Sequence, residues 1–454
     1  MPFSRSESRQ LFRLAIPVII SQVGAMTMGI VDSIIVGHFS SLELAGVAAG
    51  NSIFWMIVMI GFGLLHGMDP IVAGAHGSGH RADADRCLGS ALKMGFIFSL
   101  IFTPIIYIIS KNLWITGAPP DVIRAAEPFL RTLGWSLWPL MIYGAFARYW
   151  QGFEIAFPFT LTVILANLVN WVGNLAFVTG RWGFDAYGAQ GAAFATALCR
   201  VFTLMAAIGI SIYYWRRRTD RPWALLWTLA TQSDRAMDRK LFRLGLPASM
   251  QILLEVFAFS FTTIMVTRLG AQTLATHHIV LNIASFAFMF PVGLSSAIAV
   301  RVAFHNGRGD PASAFNAGRL GIVFAFMFMS FSALVLFIFP RLLLGFFTED
   351  PEIIRIASSI IFLCALFQVF DGVQVAAAGA LRGLGDTQTA LYTNLIAHYG
   401  IGLPIGLSLC FLFGKGLMGL WIGLALGLSF TAIFNTIKWQ QKKRGLLLVN
   451  GAAV

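Results

Sequence analysis

Long apolar segments alternate with short polar ones along the whole chain. Twelve apolar segments can be marked, and most exceed the about 20 residues that carry a helix across a bilayer. They lie near residues 11–37, 44–75, 88–110, 122–150, 159–179, 188–214, 241–268, 274–304, 315–339, 352–381, 388–413 and 417–438. Polar runs such as NGRGDP at 306–311 separate them. The pattern predicts an all-α integral membrane protein with twelve transmembrane helices.

Composition agrees with this pattern and excludes the main soluble classes. Of 454 residues, 57% are hydrophobic and only 11% are charged. A soluble domain carries about a quarter charged residues, so a soluble enzyme, a coiled coil and a disordered chain are excluded. Twelve spans and their connections use nearly the whole length, which leaves no room for a large extramembrane domain.

The second half of the chain repeats the first. LFRLAIPVIISQ at 11–22 returns as LFRLGLPASMQI at 241–252. Each half holds six spans, an even number, so both halves enter the membrane from the same side and the repeats are parallel. We therefore predict two parallel six-helix lobes, residues 1–215 and 239–454, joined by a basic cytoplasmic linker at 216–238.

The net charge of +12 comes from basic residues in the connections. If both termini are cytoplasmic, 23 Lys and Arg lie on the inner side and 8 on the outer side. Because such residues accumulate on the cytoplasmic side, we predict both termini inside, in a multi-pass protein of the bacterial inner membrane. The charge thus indicates orientation, and we expect no nucleic acid partner.

Neither the cysteines nor the loops indicate a cofactor. Four cysteines are present without a CxxC pair, so we expect no disulfide framework and no cysteine metal site. No Walker loop is present, which argues against ATP as the energy source.

Three ionisable residues lie at similar depth in apolar segments of the second half: Glu255, Asp371 and His398. Charge at mid-bilayer costs at least about 2.5–3.5 kcal/mol, so such residues are often functional. Two neighbouring carboxylates can bind a cation or take up a proton. The alternative is that each is satisfied separately by a buried polar neighbour.

A second polar set lies in the first half, near the outer ends of its helices. It consists of Asp32, Asn170, Asn174 and Thr196. Their oxygens suit Na⁺, or a proton on Asp32 that is hydrogen-bonded to its neighbours. The alternative is a packing cluster, since such side chains often bond across membrane helices.

Aromatic and methionine side chains could line a cavity for apolar cations, through dispersion and cation–π attraction. The weaker candidates for that cavity are Phe257, Phe286, Phe288 and Met289. The alternative is lipid-facing or packing surface.

Three segments resemble a known family. They are P-x-x-x-S-Q at 17–22, MGIVDSIIVGHFSSLELAGVAAGNSI at 28–53 and ALRGLGDTQTAL at 380–391. With Asp32, Glu255 and Asp371, and with the six-plus-six repeat, they resemble the multidrug and toxic compound extrusion (MATE) family. Within it the likeness is to the NorM-type bacterial branch, and it covers nearly the whole chain.

The resemblance implies a secondary active antiporter that exports cationic amphipathic drugs or toxins in exchange for Na⁺ or H⁺. It implies alternating access of two lobes and no cofactor besides the coupling ion. It also implies cation-coupling roles for Glu255 and Asp371 in the second lobe, and for Asp32 with its polar neighbours in the first. Some branches have Asp at the position of Asn174, so Asn there removes one proton acceptor.

Two other functions fit the sequence less well. A lipid-linked oligosaccharide flippase of the wider superfamily should have a strongly cationic cavity, whereas the charges within these segments are mainly acidic. A polytopic membrane enzyme would place catalytic residues in sizeable loops, and the loops here are short. We expect organic cations and membrane lipid as partners of a monomeric transporter that is not an enzyme.

Overall fold

A computed structural model describes residues 5–217, 228, 234–348 and 350–449, and the regular structure within these ranges is helical, without strands. Most of the predicted linker at 216–238 lies outside the described residues. The helices, in chain order, are α1 Arg5–Phe39, α2 Ser41–Leu65, α3 Met68–Ser78, α4 Arg81–Lys111, α5 Pro120–Trp135, α6 Leu137–Gly152, α7 Phe157–Phe177, α8 Gly188–Arg216, α9 Arg235–Thr267, α10 Ala271–Gly307, α11 Pro311–Ile338, α12 Pro340–Gly345, α13 Pro351–Gly383, α14 Gln388–Leu412 and α15 Gly416–Val449.

The predicted all-α membrane class is confirmed. Among the described residues, eleven helical segments are long and apolar enough to cross a bilayer, with α2 and α3 together forming one of them. The fourth predicted span, 122–150, is the exception, because it consists of α5 and α6, each of 16 residues, with a break at Ser136. With these two helices counted as one span, the eleven segments become the twelve that were predicted.

Side chains from other helices satisfy the backbone at this break. The last carbonyls of a helix lack intrahelical donors. The hydroxyl of Thr103 in α4 donates to the carbonyl of Gly134 at 3.0 Å, and Nη1 of Arg200 in α8 approaches that of Leu133 at 3.4 Å. These contacts from α4 and α8 add to the local bonds that the Ser136 N–H makes to the same carbonyls, and a hydropathy pattern does not contain them.

The helix α14 is irregular along most of its length. Its α-helical start, Gln388–Asn394, continues into a π-helical stretch, Leu395–Gly402. A short α-helical turn, Leu403–Leu407, precedes a second π-helical stretch, Ser408–Leu412. Pro404 lies between the two stretches, where its missing N–H removes one regular helical bond. Such π-helical segments occur frequently at functional sites.

The chain divides into two compact units. The first-half unit comprises Ile20–Val72 and His80–Gly245, and its core includes Phe54, Phe129 and Met141. The second-half unit comprises α1 up to Ile19, Ala73–Gly79 and the chain from Leu246 onward. Its core includes Val266, Ile360, Phe367 and Trp421. The predicted lobe boundaries stay a prediction, since short segments from the first half group with the second-half unit.

A buried ion cluster holds the beginning of α1 within the second-half unit. Nε of Arg301 donates to Oε1 of Glu7 at 2.8 Å, and Nη2 donates to Oε2 at 2.6 Å. His305, one turn further along α10, lies 3.1 Å from the same carboxylate. This bidentate pairing balances the positive charge of Arg301, whose side chain is almost completely buried.

Candidate cation sites

All four polar residues predicted in the first half lie in one cluster of the first-half unit. Nδ2 of Asn174 donates to Oδ1 of Asp32 at 2.6 Å and to Oδ1 of Asn170 at 3.1 Å. The hydroxyl of Thr196 donates to Oδ2 of Asp32 at 3.1 Å. Asp32 is 7% exposed, and both asparagines are fully buried. The cluster therefore presents carboxylate, amide and hydroxyl oxygens away from bulk solvent.

Close packing of α7 against α8 brings these side chains together. Gly191 lies so near α7 that a Cβ there would be 2.3 Å from the carbonyl oxygen of Phe177. Gly173 packs against Ala195, where an added Cβ would meet the alanine methyl at 3.0 Å. Small residues allow such close approach of membrane helices. Substituting Gly191 would therefore separate the helices that carry Asn174 and Thr196.

A buried arginine accompanies this cluster. Arg200 lies one turn after Thr196 on α8, and its charge attracts the Asp32 carboxylate. Its Nη1 donates to the hydroxyl of Ser136 at 2.6 Å, and its guanidinium lies 4.4 Å from the centre of the Phe54 ring. These contacts fix a positive charge near the only carboxylate of the described cluster.

A second cluster, in the second-half unit, joins Glu255 of α9 to Asp371 of α13. Nε2 of Gln374 donates to Oε1 of Glu255 at 3.1 Å and to Oδ1 of Asp371 at 3.3 Å. Nδ2 of Asn394 in α14 donates to the other oxygen of Glu255 at 3.3 Å. Repulsion acts between the two carboxylates. Within the described part of the chain, no ion pair connects either of them to a basic side chain.

His398 is buried, but its described ring contact is with an aromatic side chain rather than with the two carboxylates. It lies in the first π-helical stretch of α14, and its ring centre is 6.5 Å from that of Phe259. Among the described residues, no hydrogen bond connects it to Glu255 or Asp371. Its part in a cation site stays a prediction.

The four predicted cavity residues differ in exposure. Phe257 and Phe286 are among the exposed apolar side chains, and Phe288 and Met289 are half-buried. Their role as a substrate surface also stays a prediction.

Sequence reasoning missed three polar residues that complete the two clusters: Arg200, Gln374 and Asn394. A usable signal existed for Gln374, since it follows Asp371 by three residues and therefore shares its helix face. Arg200 likewise follows Thr196 by four residues. Asn394 had no such signal, because its neighbour Glu255 lies 139 residues away in the chain.

The clusters use oxygen groups rather than the usual ligands of transition metals. Within the described ranges, no three His, Cys, Asp or Glu side chains are placed to hold a metal ion together. Carboxylate, amide and hydroxyl oxygens instead suit a hard cation, or a proton on a carboxylate.

Both halves of the chain are similar to one known family. The MatE family model matches residues 17–176 and 247–407, two segments that begin 230 residues apart. The chain belongs to the MatE family. The spacing of the two matches equals the offset of the LFRL repeat, so the MatE domain occurs once in each half.

Relatives match over nearly the whole chain. A probable multidrug resistance protein NorM of Xanthomonas axonopodis is 31% identical, with 98% of this chain and 96% of the relative covered. The multidrug resistance protein MdtK of Yersinia pseudotuberculosis is also 31% identical, with 98% of each covered. The predicted resemblance to the NorM-type branch is confirmed.

Solved structures agree on the fold. A Vibrio cholerae MATE transporter, VcmN, superposes with a TM-score of 0.88 at 19% identity, over 98% of this chain and 99% of that one. The eukaryotic MATE transporter AtDTX14 gives 0.86 at 20% identity, over 97% and 98%. At this identity the likeness bears on the fold alone, and it confirms the two-lobed MATE architecture.

Proposed function

We propose that this MatE protein is a secondary active antiporter that exports cationic amphipathic drugs or toxins in exchange for Na⁺ or H⁺ by alternating access. The multidrug resistance names of its relatives support export of drugs. Family membership supports transport rather than catalysis, with no cofactor besides the coupling ion. No contact described above favours the flippase alternative, which requires a cationic cavity.

The observation that carries this proposal is the pair Glu255 and Asp371. Both lie inside helices long and apolar enough to cross a membrane, and they share one amide donor. Two carboxylates without a basic partner are costly in a low-dielectric region unless a cation or proton joins them. A drug cation and a coupling ion can then compete for the same negative charge, which links export to ion entry.

We also propose that both termini face the cytoplasm and that the transporter works as a monomer. The excess of 23 basic residues over 8 supports the orientation. A cysteine introduced at Ser6 should react with impermeant maleimide in inverted vesicles and not in intact cells. The reverse pattern would place the N-terminus outside. The native background is favourable, because Cys87, Cys199, Cys364 and Cys410 are all buried.

The decisive experiment is drug export measured in energised inverted vesicles, with a pH gradient and a Na⁺ gradient imposed separately. We expect vesicles containing the wild-type chain to accumulate a fluorescent organic cation when at least one gradient is present. Vesicles with Asp371→Asn should not do so. Accumulation that ignores both gradients would contradict an ion-coupled antiporter.

A further inference from the structure

Two fully buried amide side chains, Gln374 and Asn394, surround the Glu255–Asp371 pair, and each uses only its nitrogen. Their NH₂ groups hold three carboxylate oxygens through the bonds described above. The amide oxygens, Oε1 of Gln374 and Oδ1 of Asn394, have no hydrogen-bond partner within the described residues. The nitrogen and the oxygen of an amide are bonded to the same carbon. Each unpartnered oxygen therefore lies close to the carboxylate that its own nitrogen contacts.

Free oxygens in this position need a physical explanation. Leaving a buried acceptor unsatisfied is costly, and buried polar groups usually have a partner. The protein around them supplies carboxylates, which cannot donate when ionised. The missing partner of the amide oxygens must therefore be a cation or a hydrogen-bond donor, and it must fit between the oxygen atoms of the site.

The chemistry of the four groups separates a metal cation from a proton. Na⁺ needs several oxygen ligands at once, and two carboxylates with two amide oxygens could provide them, as for other hard cations. A proton on one carboxylate donates a single hydrogen bond, so it can satisfy at most one of the two amide oxygens. A metal cation can use both amide oxygens at once, so the pair of amide groups favours Na⁺.

We propose that Gln374 and Asn394 determine the ion selectivity of the Glu255–Asp371 site, by supplying amide oxygens to Na⁺. Without the ion, their NH₂ groups bridge the carboxylates and hold the site together. When Na⁺ enters, the amide oxygens join the carboxylate oxygens as its ligands. This inference rests on the proposed function, because it assumes that the carboxylate pair binds the coupling ion.

The test uses the purified full chain and vesicles. Gln374→Met removes the amide and keeps the approximate length, and Asn394→Leu does the same at the second position. The matched control is Gln368→Met, because Gln368 is on the same helix and equally buried. Its oxygen accepts from Ser332 at 3.0 Å, and it does not bond to either carboxylate. Binding of radioactive Na⁺ is measured alongside drug export driven by each gradient.

We expect Gln374→Met and Asn394→Leu to weaken Na⁺ binding by about tenfold or more, as loss of groups around a metal ion commonly does. Gln368→Met should bind Na⁺ like the wild type, and unfolding temperatures show that each variant is folded. Export driven by the pH gradient should fall less than export driven by the Na⁺ gradient. If either variant loses its fold, the other still provides the measurement.

Three results would overturn the inference. The first is Na⁺ binding by both amide variants as strong as that of Gln368→Met. The second is an equal loss of Na⁺-driven and pH-driven export, since the amides would then only hold the carboxylates in place. The third is full Na⁺ binding by Glu255→Gln and Asp371→Asn, which would refute the carboxylate site itself. This third result identifies a failure of the proposed function rather than of the selectivity role.

Discussion

At the scale of single residues, Gln374 donates to both Glu255 and Asp371, and we predict that the two carboxylates act as one functional group. Glu255→Gln and Asp371→Asn should each abolish most coupled export, and the double variant should lose little more. Residues that act together are non-additive in this way. Export rates of the four proteins, compared at equal expression, test this. Independent losses that add in free energy would mean two separate sites.

Arg200 provides a second residue-scale prediction, for stability. Arg200→Met removes the donor to Ser136 and Leu133 at the break between α5 and α6, and we expect it to lower the free energy of unfolding by about 1–3 kcal/mol. Arg216→Met is the control, because Arg216 lies exposed at the end of the same helix. Thermal unfolding in detergent measures both. Equal midpoints would mean that Arg200 does not stabilise the break.

Part of both clusters could be predicted from the sequence at this scale. Few carboxylates lie in apolar segments. The rise per residue of a helix was enough to predict similar depths in the membrane for Glu255 and Asp371, and for Asp32 and Asn174. Gln374, Asn394 and Arg200 could not be assigned equally well. An uncharged amide in an apolar helix often serves only in packing, and its partner depends on how distant helices meet.

At the scale of helices, the motif ALRGLGDTQTAL shapes the connection from α13 to α14. Gly385 adopts φ of +79°, which favours glycine. Oδ1 of Asp386 accepts from the backbone N–H of Thr389 at 3.1 Å, and Oδ2 accepts from Lys442 at 3.0 Å. Burial raises the pKa of Asp386, but the hydrogen bonds from Lys442 and Thr389 outweigh it, so the net pKa is below its ordinary value.

This lowered pKa predicts how stability depends on pH. A carboxyl whose pKa is lower in the folded state stabilises the protein above its ordinary pKa of about 3.9, and loses that contribution as the pH falls through the folded value. Asp386→Asn should therefore reduce the unfolding temperature at neutral pH, and the difference from wild type should shrink in acid. Asp185→Asn, at an exposed loop position, is the control. A difference that is constant with pH would contradict the role of the charge.

Hydropathy located the helices well and their irregularities poorly. The span at 122–150 was predicted as one helix because most of its residues are apolar, yet the helix breaks at Ser136, where Thr103 and Arg200 contact the backbone. The π-helical stretches of α14 were likewise not predicted, although Pro404 marked an irregularity. Both features depend on packing partners that a local pattern does not contain.

At the scale of the whole molecule, the sequence repeat correctly indicated two lobes, but it could not show that α1 begins in the second-half unit. Glu7→Gln should destabilise the protein by about 3–5 kcal/mol, because it leaves the buried Arg301 without its carboxylate. Adding Arg301→Met should recover part of this loss. The unfolding temperatures of Glu7→Gln and of the double variant measure this recovery. A double variant that is less stable than Glu7→Gln would contradict the prediction.

The pairing of Glu7 with Arg301 also limits how early during translation the beginning of α1 can reach its buried position. The two residues are 294 positions apart, so Glu7 leaves the ribosome long before its partner exists. At typical elongation rates the delay is about 15–60 s. Throughout that time an ionised carboxylate cannot be buried cheaply, so the beginning of α1 must wait in contact with water. Glu7 is therefore synthesised early, yet it gains its buried partner only after Arg301 has emerged.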